Sequence, residues 1–179
     1  MKKARIVGIL ALIMILTSCE ARKLPVYNKY RRVNPEEIIS PVNTDELNFE
    51  ELHNDVIDGM LTMKNTFFFI EENGFVVTGS NDPKMIEVDL TCAEGASKTD
   101  VELVYSMALN LIGNYCAQQN FKYKEPTLGS DNVYKDFGTV FNDYALKLYA
   151  KDTKGSVIYN ENIAAGSKIP VDPQYIMEE

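Results

Sequence analysis

Apolar residues recur at helical spacing in a stretch that predicts the first helix of a folded domain. From about Phe49 to Met63, one face carries an apolar side chain at every third or fourth position. Asn48, just before this stretch, and Glu51, within it, have the spacing of a capping box. This spacing favours a helix that starts at Phe49. The predicted apolar face consists of Phe49, Leu52, Val56, Met60 and Met63.

A second and longer pattern predicts a helix from about Asp100 to Asn120. Thr99 and Glu102 have capping-box spacing at its start. Its apolar face is broad, as in a helix that lies against a sheet rather than in solvent. The residues on this face are Val101, Val104, Ala108, Leu111, Ile112 and Tyr115, with Met107 and Cys116 at its edges.

The segment between the two helices has the composition of β-strands. Thr66–Ile70 and Phe75–Thr78 flank Glu71-Glu72-Asn73-Gly74, and an Asn-Gly pair between β-forming runs is typical of a type I′ hairpin turn. Asn81-Asp82-Pro83 then interrupts the pattern. Met85–Thr91 alternates as a third strand, with Ile86, Val88 and Leu90 predicted to face the core.

The chain closes with a second predicted hairpin. Tyr144–Ala150 alternates, Lys151–Gly155 has turn composition, and Ser156–Ile163 returns. Leu146, Leu148 and Ala150 are expected to face the core, with Lys147, Tyr149 and Lys151 on the opposite side. The sequence therefore predicts an α+β fold, in which a mostly antiparallel sheet of two hairpins plus one strand is covered by two helices.

The amino terminus has the three parts of a secretory signal peptide. Lys2, Lys3 and Arg5 precede an apolar run, Ile6–Leu16, which ends in Leu16-Thr17-Ser18-Cys19. The apolar run has eleven residues, whereas a membrane-spanning helix takes about 20. The last four residues resemble the lipobox of bacterial lipoproteins. The resemblance implies that residues 1–18 are removed and that Cys19 receives a diacylglycerol and an amino-terminal acyl chain. The alternative is plain secretion with an incidental cysteine.

The resemblance also implies a destination, a membrane partner and a tether. Glu20 follows the cysteine instead of the aspartate that favours inner-membrane retention, so we expect the outer membrane, facing the periplasm. Residues 19–43 are rich in proline and polar residues, and we interpret them as the lipidated cysteine and an extended tether. The alternative is a lipid-headgroup or partner contact through a small aromatic and basic set: Tyr27, Tyr30, Arg31 and Arg32. We assign residues 44–165 to a single α+β domain and 166–179 to a loose carboxy-terminal tail.

The acidic net charge of the chain argues against two classes of binding partner. Three of the 18 basic residues and none of the 26 acidic residues lie in residues 1–18, so the remaining chain has a formal charge of −11. Nucleic-acid binding needs clustered Lys and Arg, and electrostatic binding to anionic lipid also needs basic groups. We therefore expect no nucleic acid as partner, and attachment to the membrane through the lipid alone.

Two further cysteines, Cys92 and Cys116, leave a disulfide open, because an extracytoplasmic compartment is oxidising. Cys92 ends a predicted strand, and Cys116 lies near the far end of the following helix. A helix that folds back along its strand would place the two Cα atoms on the order of 20 Å apart. A disulfide needs about 7 Å or less. We favour two buried free thiols.

Residues that could carry catalysis or bind metal form no recognisable motif. His53 is the only histidine and lies on the polar side of its predicted helix, where we interpret it as a surface residue. One His and two distant Cys do not make a zinc site, and the residues that could offer oxygen ligands to calcium lack EF-hand spacing. These are Asn81, Asp82, Asp131, Asp136 and Asp143. Adjacent carboxylates, as in Glu36-Glu37 and Glu71-Glu72, are expected by chance in so acidic a chain. We expect no cofactor.

Aromatic side chains supply the candidate protein-binding surface. Consecutive residues of a strand point to opposite faces, so Phe67-Phe68-Phe69 cannot all face one core. Either helices cover both faces, or the uncovered part marks a binding surface. Tyr149 and Tyr159, predicted to face outward from the last hairpin, extend that surface.

Two functions remain. The first is a membrane-anchored envelope lipoprotein that is not an enzyme and binds another envelope protein, as a module or scaffold in envelope, secretion or cell-wall assembly. The alternative is a periplasmic enzyme or small-ligand-binding lipoprotein that uses a cleft of carboxylates and tyrosines.

Overall fold

The computed structural model describes residues 46–61, 69–130 and 133–173. In chain order they form helix α1 (Phe49–Leu61), strands β1 (Ile70–Asn81) and β2 (Lys84–Cys92), helix α2 (Lys98–Gln119), a 3-10 turn (Val140–Asn142), and strands β3 (Ala145–Asp152) and β4 (Val157–Ile163). The sheet order is β1-β2-β3-β4. The pairs β1–β2 and β3–β4 are antiparallel, and β2–β3 is parallel, with α2 in the connection between them. The predicted α+β fold with a mostly antiparallel sheet and two helices is confirmed.

The Asn73-Gly74 pair lies within β1, so the predicted hairpin turn at this position is wrong. Ile70 pairs with Cys92 and Phe75 with Leu90, so five steps along β1 correspond to two along β2 and the extra residues form a bulge. Asn73 has a φ of 59°, and a left-handed residue suits a bulge as well as a turn. The first predicted strand falls partly on residues 66–68, which lie outside the described residues.

The β1–β2 hairpin turns instead at Asp82-Pro83, where the predicted interruption lies. Asn81 pairs with Lys84 across this turn, and the Asp82–Pro83 peptide bond is cis. The third predicted strand, Met85–Thr91, corresponds to β2, and the three residues predicted to face the core are fully buried: Ile86, Val88 and Leu90.

The cap of α2 lies two residues before the predicted one. The Ser97 hydroxyl accepts a hydrogen bond from the backbone N–H of Asp100 at 3.2 Å, and the Asp100 carboxylate accepts one from the backbone N–H of Ser97 at 2.8 Å. This sequence contains the capping pattern twice, at Ser97/Asp100 and at Thr99/Glu102, and spacing alone does not choose between them.

Helix α1 is capped by Asn48, as predicted, but only one of the two hydrogen bonds of a capping box forms. The Asn48 side chain accepts from the Glu51 backbone N–H at 3.2 Å, as predicted. The Asn48 backbone N–H, however, donates to the side-chain oxygen of Gln119 at 3.0 Å instead of to Glu51. The Gln119 side-chain amide donates to the Asn48 carbonyl at 3.2 Å, so the start of α1 is joined to the end of α2.

The core lies between the helices and one face of the sheet. Alternate residues of β2 and β3 are buried on this inner face, whereas Glu87 and Lys147 form an ion pair of 2.6 Å on the outer face. Helix α2 is buried beyond the predicted stripe, because Tyr105, Leu109 and Ala117 are also inaccessible. Loop residues cover this side of α2: a Cβ on Gly113 would lie 2.0 Å from the Phe137 carbonyl oxygen.

The segment after β4 packs onto the domain as far as Pro173. The backbone N–H of Gly166 donates to the Phe141 carbonyl at 2.8 Å, and Val171 is buried. The Asn110 side-chain amide donates to the Pro173 carbonyl at 3.3 Å. Residues 166–173 therefore differ from the loose tail predicted for 166–179, and residues 174–179 lie outside the described part.

Both cysteines of the domain are free and buried, as favoured from the sequence: Cys92 at the end of β2 and Cys116 in the last turns of α2. Across the ranges that the structure describes, neither helix combines the length and apolar character that a membrane span needs.

Candidate functional site

Several of the predicted functional residues lie outside the described part of the chain. Three predicted features precede Glu46, where the description begins: the lipidation site at Cys19, the lipobox-like residues before it and the tether. Phe67 and Phe68 also lie outside it. Lipidation and the role of these two aromatic residues therefore stay predictions.

The structure separates the remaining aromatic residues of the predicted binding surface. Tyr149 is partly exposed on the outer face of the sheet, as predicted. Tyr159 is only 4% exposed, and its ring packs edge-on against Tyr105 with centroids 5.3 Å apart. The outward placement of Tyr159 was wrong because Tyr159 pairs with the inward-facing Ala150, and paired residues share a face. Phe69 is partly buried against the core.

A cleft lies between the end of α1 and the bulge of β1. It has a volume of about 480 Å³, and described apolar side chains from both elements line it: Ile57, Met60, Leu61, Ile70 and Phe75. The bulge residues Glu71, Glu72 and Asn73 are exposed and form a polar rim. We call these residues the apolar cleft. Its volume is in the range of protein ligand pockets, about 300–1,000 Å³.

The Asn73-Gly74 bulge shapes the rim of the apolar cleft. A Cβ on Gly74 would lie 2.5 Å from the Thr91 carbonyl oxygen and 2.9 Å from that of Glu71, so only glycine fits the backbone here. The bulge aims the two neighbouring glutamates outward beside an apolar lining. This combination favours an apolar group flanked by positive charge.

The sequence signal for the apolar cleft is a widened stripe on α1. Ile57 and Leu61 each follow a buried core residue, Val56 and Met60, by one position. They therefore lie beside the core-facing stripe and extend it around the helix. Nothing in the α1 sequence marks them as cleft residues, because their neighbours on β1 belong to a separate element.

A second, acidic cleft of about 500 Å³ lies beside the start of α1 and the end of α2. It is lined by Glu46, Glu51 and Asp55 with Tyr115 and Gln118. Burial, with Asp55 and Asp58 as smaller causes, raises the pKa of Tyr115, so its phenol stays protonated at neutral pH and acts as a hydrogen-bonding group rather than a base. This arrangement attracts cations by charge and has one neutral hydroxyl beside it.

His53 is engaged with the backbone of β1. Its Nδ1 atom lies 3.2 Å from the backbone nitrogen of Val77 and 3.1 Å from the Val77 carbonyl oxygen. The ring is partly buried, whereas the sequence predicted a surface position. Its role is a structural cap on an edge strand.

Three of the oxygen ligands considered for calcium have other partners: Asn81, Asp136 and Asp143. The Asn81 side chain accepts from the Leu47 N–H at 3.0 Å and also bonds the Tyr144 hydroxyl. The Lys122 ammonium lies 2.5 Å from the Asp143 carboxylate. Its hydrogen bond to this carboxylate, together with its positive charge, lowers the pKa of Asp143. Asp136 accepts from the Gly138 N–H at 2.8 Å. Asp131 lies outside the described residues.

No group of three or more His, Cys, Asp or Glu side chains within the described ranges is arranged to hold a metal ion. The apolar cleft and the acidic cleft are two concave surfaces that the described residues offer for binding. Comparisons with protein-family models, curated proteins and solved structures gave no match to the chain.

Proposed function

We propose that this protein is a lipid-anchored envelope lipoprotein that binds another envelope protein through the apolar cleft. The observation that carries the binding role is the pairing of an apolar lining, formed by Ile57, Leu61 and Ile70, with the acidic rim of Glu71 and Glu72. The observation that supports the anchor is the lipobox-like Leu16-Thr17-Ser18-Cys19.

The chemistry of the apolar cleft describes the partner. An apolar side chain from the partner would displace water from the lining, and each buried Leu- or Phe-sized group contributes about 1.5–3 kcal/mol. A Lys or Arg beside it would meet the carboxylates of the rim. Buried aromatic side chains and arginines dominate binding at many protein interfaces.

The anchor concentrates the domain at a membrane surface. Three acyl chains on Cys19 hold a protein stably, whereas one chain binds only marginally. The acidic domain gains nothing from anionic headgroups, so the lipid carries the whole attachment. The proline-containing segment after it then sets how far the domain reaches.

Site-specific photocrosslinking in intact cells tests the binding role. A photoreactive amino acid replaces Leu61, which lines the apolar cleft and is 55% exposed, or Leu128, which lies elsewhere and is 53% exposed. The proposal expects a protein adduct of defined mass from position 61 only. Charge reversal of Glu71 and Glu72 to Lys should weaken that adduct. Equal adducts from both positions, or none from position 61, would contradict it.

A second candidate function rests on the acidic cleft. Carboxylates of Glu51 and Asp55 beside the Tyr115 phenol could hold a small organic cation. Titration calorimetry with spermidine tests this candidate, with an Asp55→Asn variant for comparison. Saturable heat that the variant weakens supports it, and the absence of heat with the wild-type protein removes it.

A further inference from the structure

The two edges of the sheet differ in how their outward backbone groups are satisfied. On β1, His53 contacts both the N–H and the carbonyl oxygen of Val77. Further along, the Asn81 side chain accepts from the Leu47 N–H and donates to its carbonyl, at 3.0 Å each. His53 thus occupies the β1 edge at Val77, and the segment before α1 lies against the end of the strand at Asn81, so part of this edge is blocked to another strand.

The β4 edge has no such cover in the part of the chain that the structure describes. β4 is the last strand of the sheet, and Asn160, Glu161 and Asn162 are exposed. Outside its ladder with β3, no backbone hydrogen bond links β4 to another described segment. The strand contains no Lys or Pro, two residues that natural proteins use to block edges, and Glu161 is its one charged residue. Such an edge accepts another strand through its backbone groups.

We propose that two copies of this chain pair through β4 in antiparallel orientation, with Asn160 opposite the partner's Asn160. Asn160 is the middle residue of Val157–Ile163, so this register overlaps the whole strand. A register centred one residue later would place Glu161 opposite the partner's Glu161, and directly opposed like charges are destabilising. The inference goes beyond the proposed function and does not depend on the lipid anchor.

Charge complementarity supports the same register. The Lys98 ammonium lies 5.3 Å from the centroid of the Tyr159 ring, on the helix-covered face. Glu161 is two residues beyond Tyr159 on the same face, and no described basic residue forms an ion pair with it. In the proposed register the partner's Glu161 lies opposite Tyr159, with Cβ atoms about 4.5–5.5 Å apart.

Lys98 is available for this contact. Its existing ion pair with Glu102 is 3.6 Å long and exposed at both ends. The partner's Glu161 would meet the ammonium over the Tyr159 ring, and the two-fold symmetry would form this pair twice. In the dimer, Lys98 of each copy would therefore pair with Glu161 of the other copy.

Disulfide trapping tests the register directly. Directly opposed residues have Cα atoms about 4.5–5.5 Å apart, within the range of a disulfide. Asn160→Cys, in the full-length chain with Cys19→Ser, should yield a disulfide-linked dimer on mild oxidation. Asn162→Cys is the matched control: it is an exposed asparagine on the same face, and its two copies would be about 13 Å apart. Equal trapping from both positions, or trapping from Asn162→Cys alone, would overturn the proposal.

Light scattering of the Cys19→Ser protein over a concentration series supplies a measurement that needs no β4 substitution. The proposal expects a mass that rises to that of two chains, and the mass of one chain throughout would overturn it. Lys98→Glu and Glu161→Lys should each weaken dimerisation about fivefold, and the double variant should restore it. If the double variant is as weak as the single variants, the ion pair and its register are wrong.

Discussion

The Nδ1 atom of His53 lies within hydrogen-bond distance of both backbone polar groups of Val77, at 3.2 Å from the nitrogen and 3.1 Å from the oxygen. The contact joins α1 to the outer edge of β1, where the strand has no neighbour in the described sheet. In one tautomer Nδ1 accepts from the Val77 N–H, and in the other it donates to the Val77 carbonyl, so the ring satisfies one of these two edge groups at a time.

Replacing this imidazole should weaken the fold. His53→Leu leaves the Val77 N–H and carbonyl partly buried without the ring, and a lost partner of this kind costs about 1–3 kcal/mol. Denaturant unfolding followed by circular dichroism measures the change. Asn54→Leu, at the exposed neighbouring position, is the control and should change stability by about 0.5 kcal/mol or less. Equal effects of the two substitutions would show that the Val77 contact contributes nothing.

Two helical glycines should respond oppositely to alanine. Gly113→Ala places a Cβ 2.0 Å from the Phe137 backbone carbonyl, which cannot move without shifting the loop, so we expect a loss of about 1–3 kcal/mol. The Cβ of Gly59→Ala meets the end of the flexible Leu111 side chain at 2.9 Å and the Tyr115 hydroxyl at an ordinary contact distance of 3.4 Å. There the better helix propensity of alanine, up to about 1 kcal/mol, should keep stability near the wild-type value or above. Thermal unfolding of both variants measures the contrast. A tolerated Gly113→Ala would mean that the Phe137 loop does not cover α2.

Alkaline pH should destabilise the protein through its buried thiols. Burial raises the pKa of Cys116 from 9.0 to about 12, and burial with smaller contributions from Asp100 and Glu71 raises that of Cys92 to about 11. The folded state keeps these protons while the unfolded state loses them. The stability that they contribute is therefore complete below about pH 9 and is lost as the pH rises through the folded values.

Unfolding free energies between about pH 8 and pH 11 measure this loss. Each thiol contributes a slope of up to about 1.4 kcal/mol per pH unit within its window. Cys116→Ala should flatten the decline, because it removes one of these groups. Parallel pH profiles for the variant and the wild type would contradict the assignment.

The same two cysteines should be inert in the folded protein. Both are free and inaccessible to solvent, and alkylation requires an exposed thiolate. Iodoacetamide should modify neither residue under native conditions and both in denaturant, as read by mass spectrometry of the peptides. Finding a Cys92–Cys116 disulfide in protein purified from the envelope would contradict the free-thiol state.

The helices and most strands follow from periodicity, because their apolar residues recur at the spacing that burial on one side requires. Two features needed tertiary information. The Asn73-Gly74 pair suits a turn or a bulge equally well, and only pairing with β2 selects the bulge. The face of Tyr159 depends on its register against Ala150, which alternation within β4 does not fix.

The candidate site was less accessible to sequence reasoning than the fold. The apolar cleft combines Ile57 and Leu61 of α1 with Ile70 and Phe75 of β1, and nothing in either segment indicates the other. The role of His53 is hidden for the same reason, since Val77 lies 24 residues away. The lipobox-like Leu16-Thr17-Ser18-Cys19 is the opposite case, because the proposed anchor rests on this one short contiguous motif.

Mass spectrometry of the amino-terminal peptide, from protein extracted from the membranes of its own cells, tests the central claim that this is a lipid-anchored protein. The account predicts a peptide that begins at Cys19 and carries a diacylglyceryl thioether and an amide-linked acyl chain. Cys19→Ser should abolish the modification and release the protein from membranes. An unmodified peptide that begins at another residue, or a Cys19→Ser protein that resists extraction like the wild type, would contradict the claim.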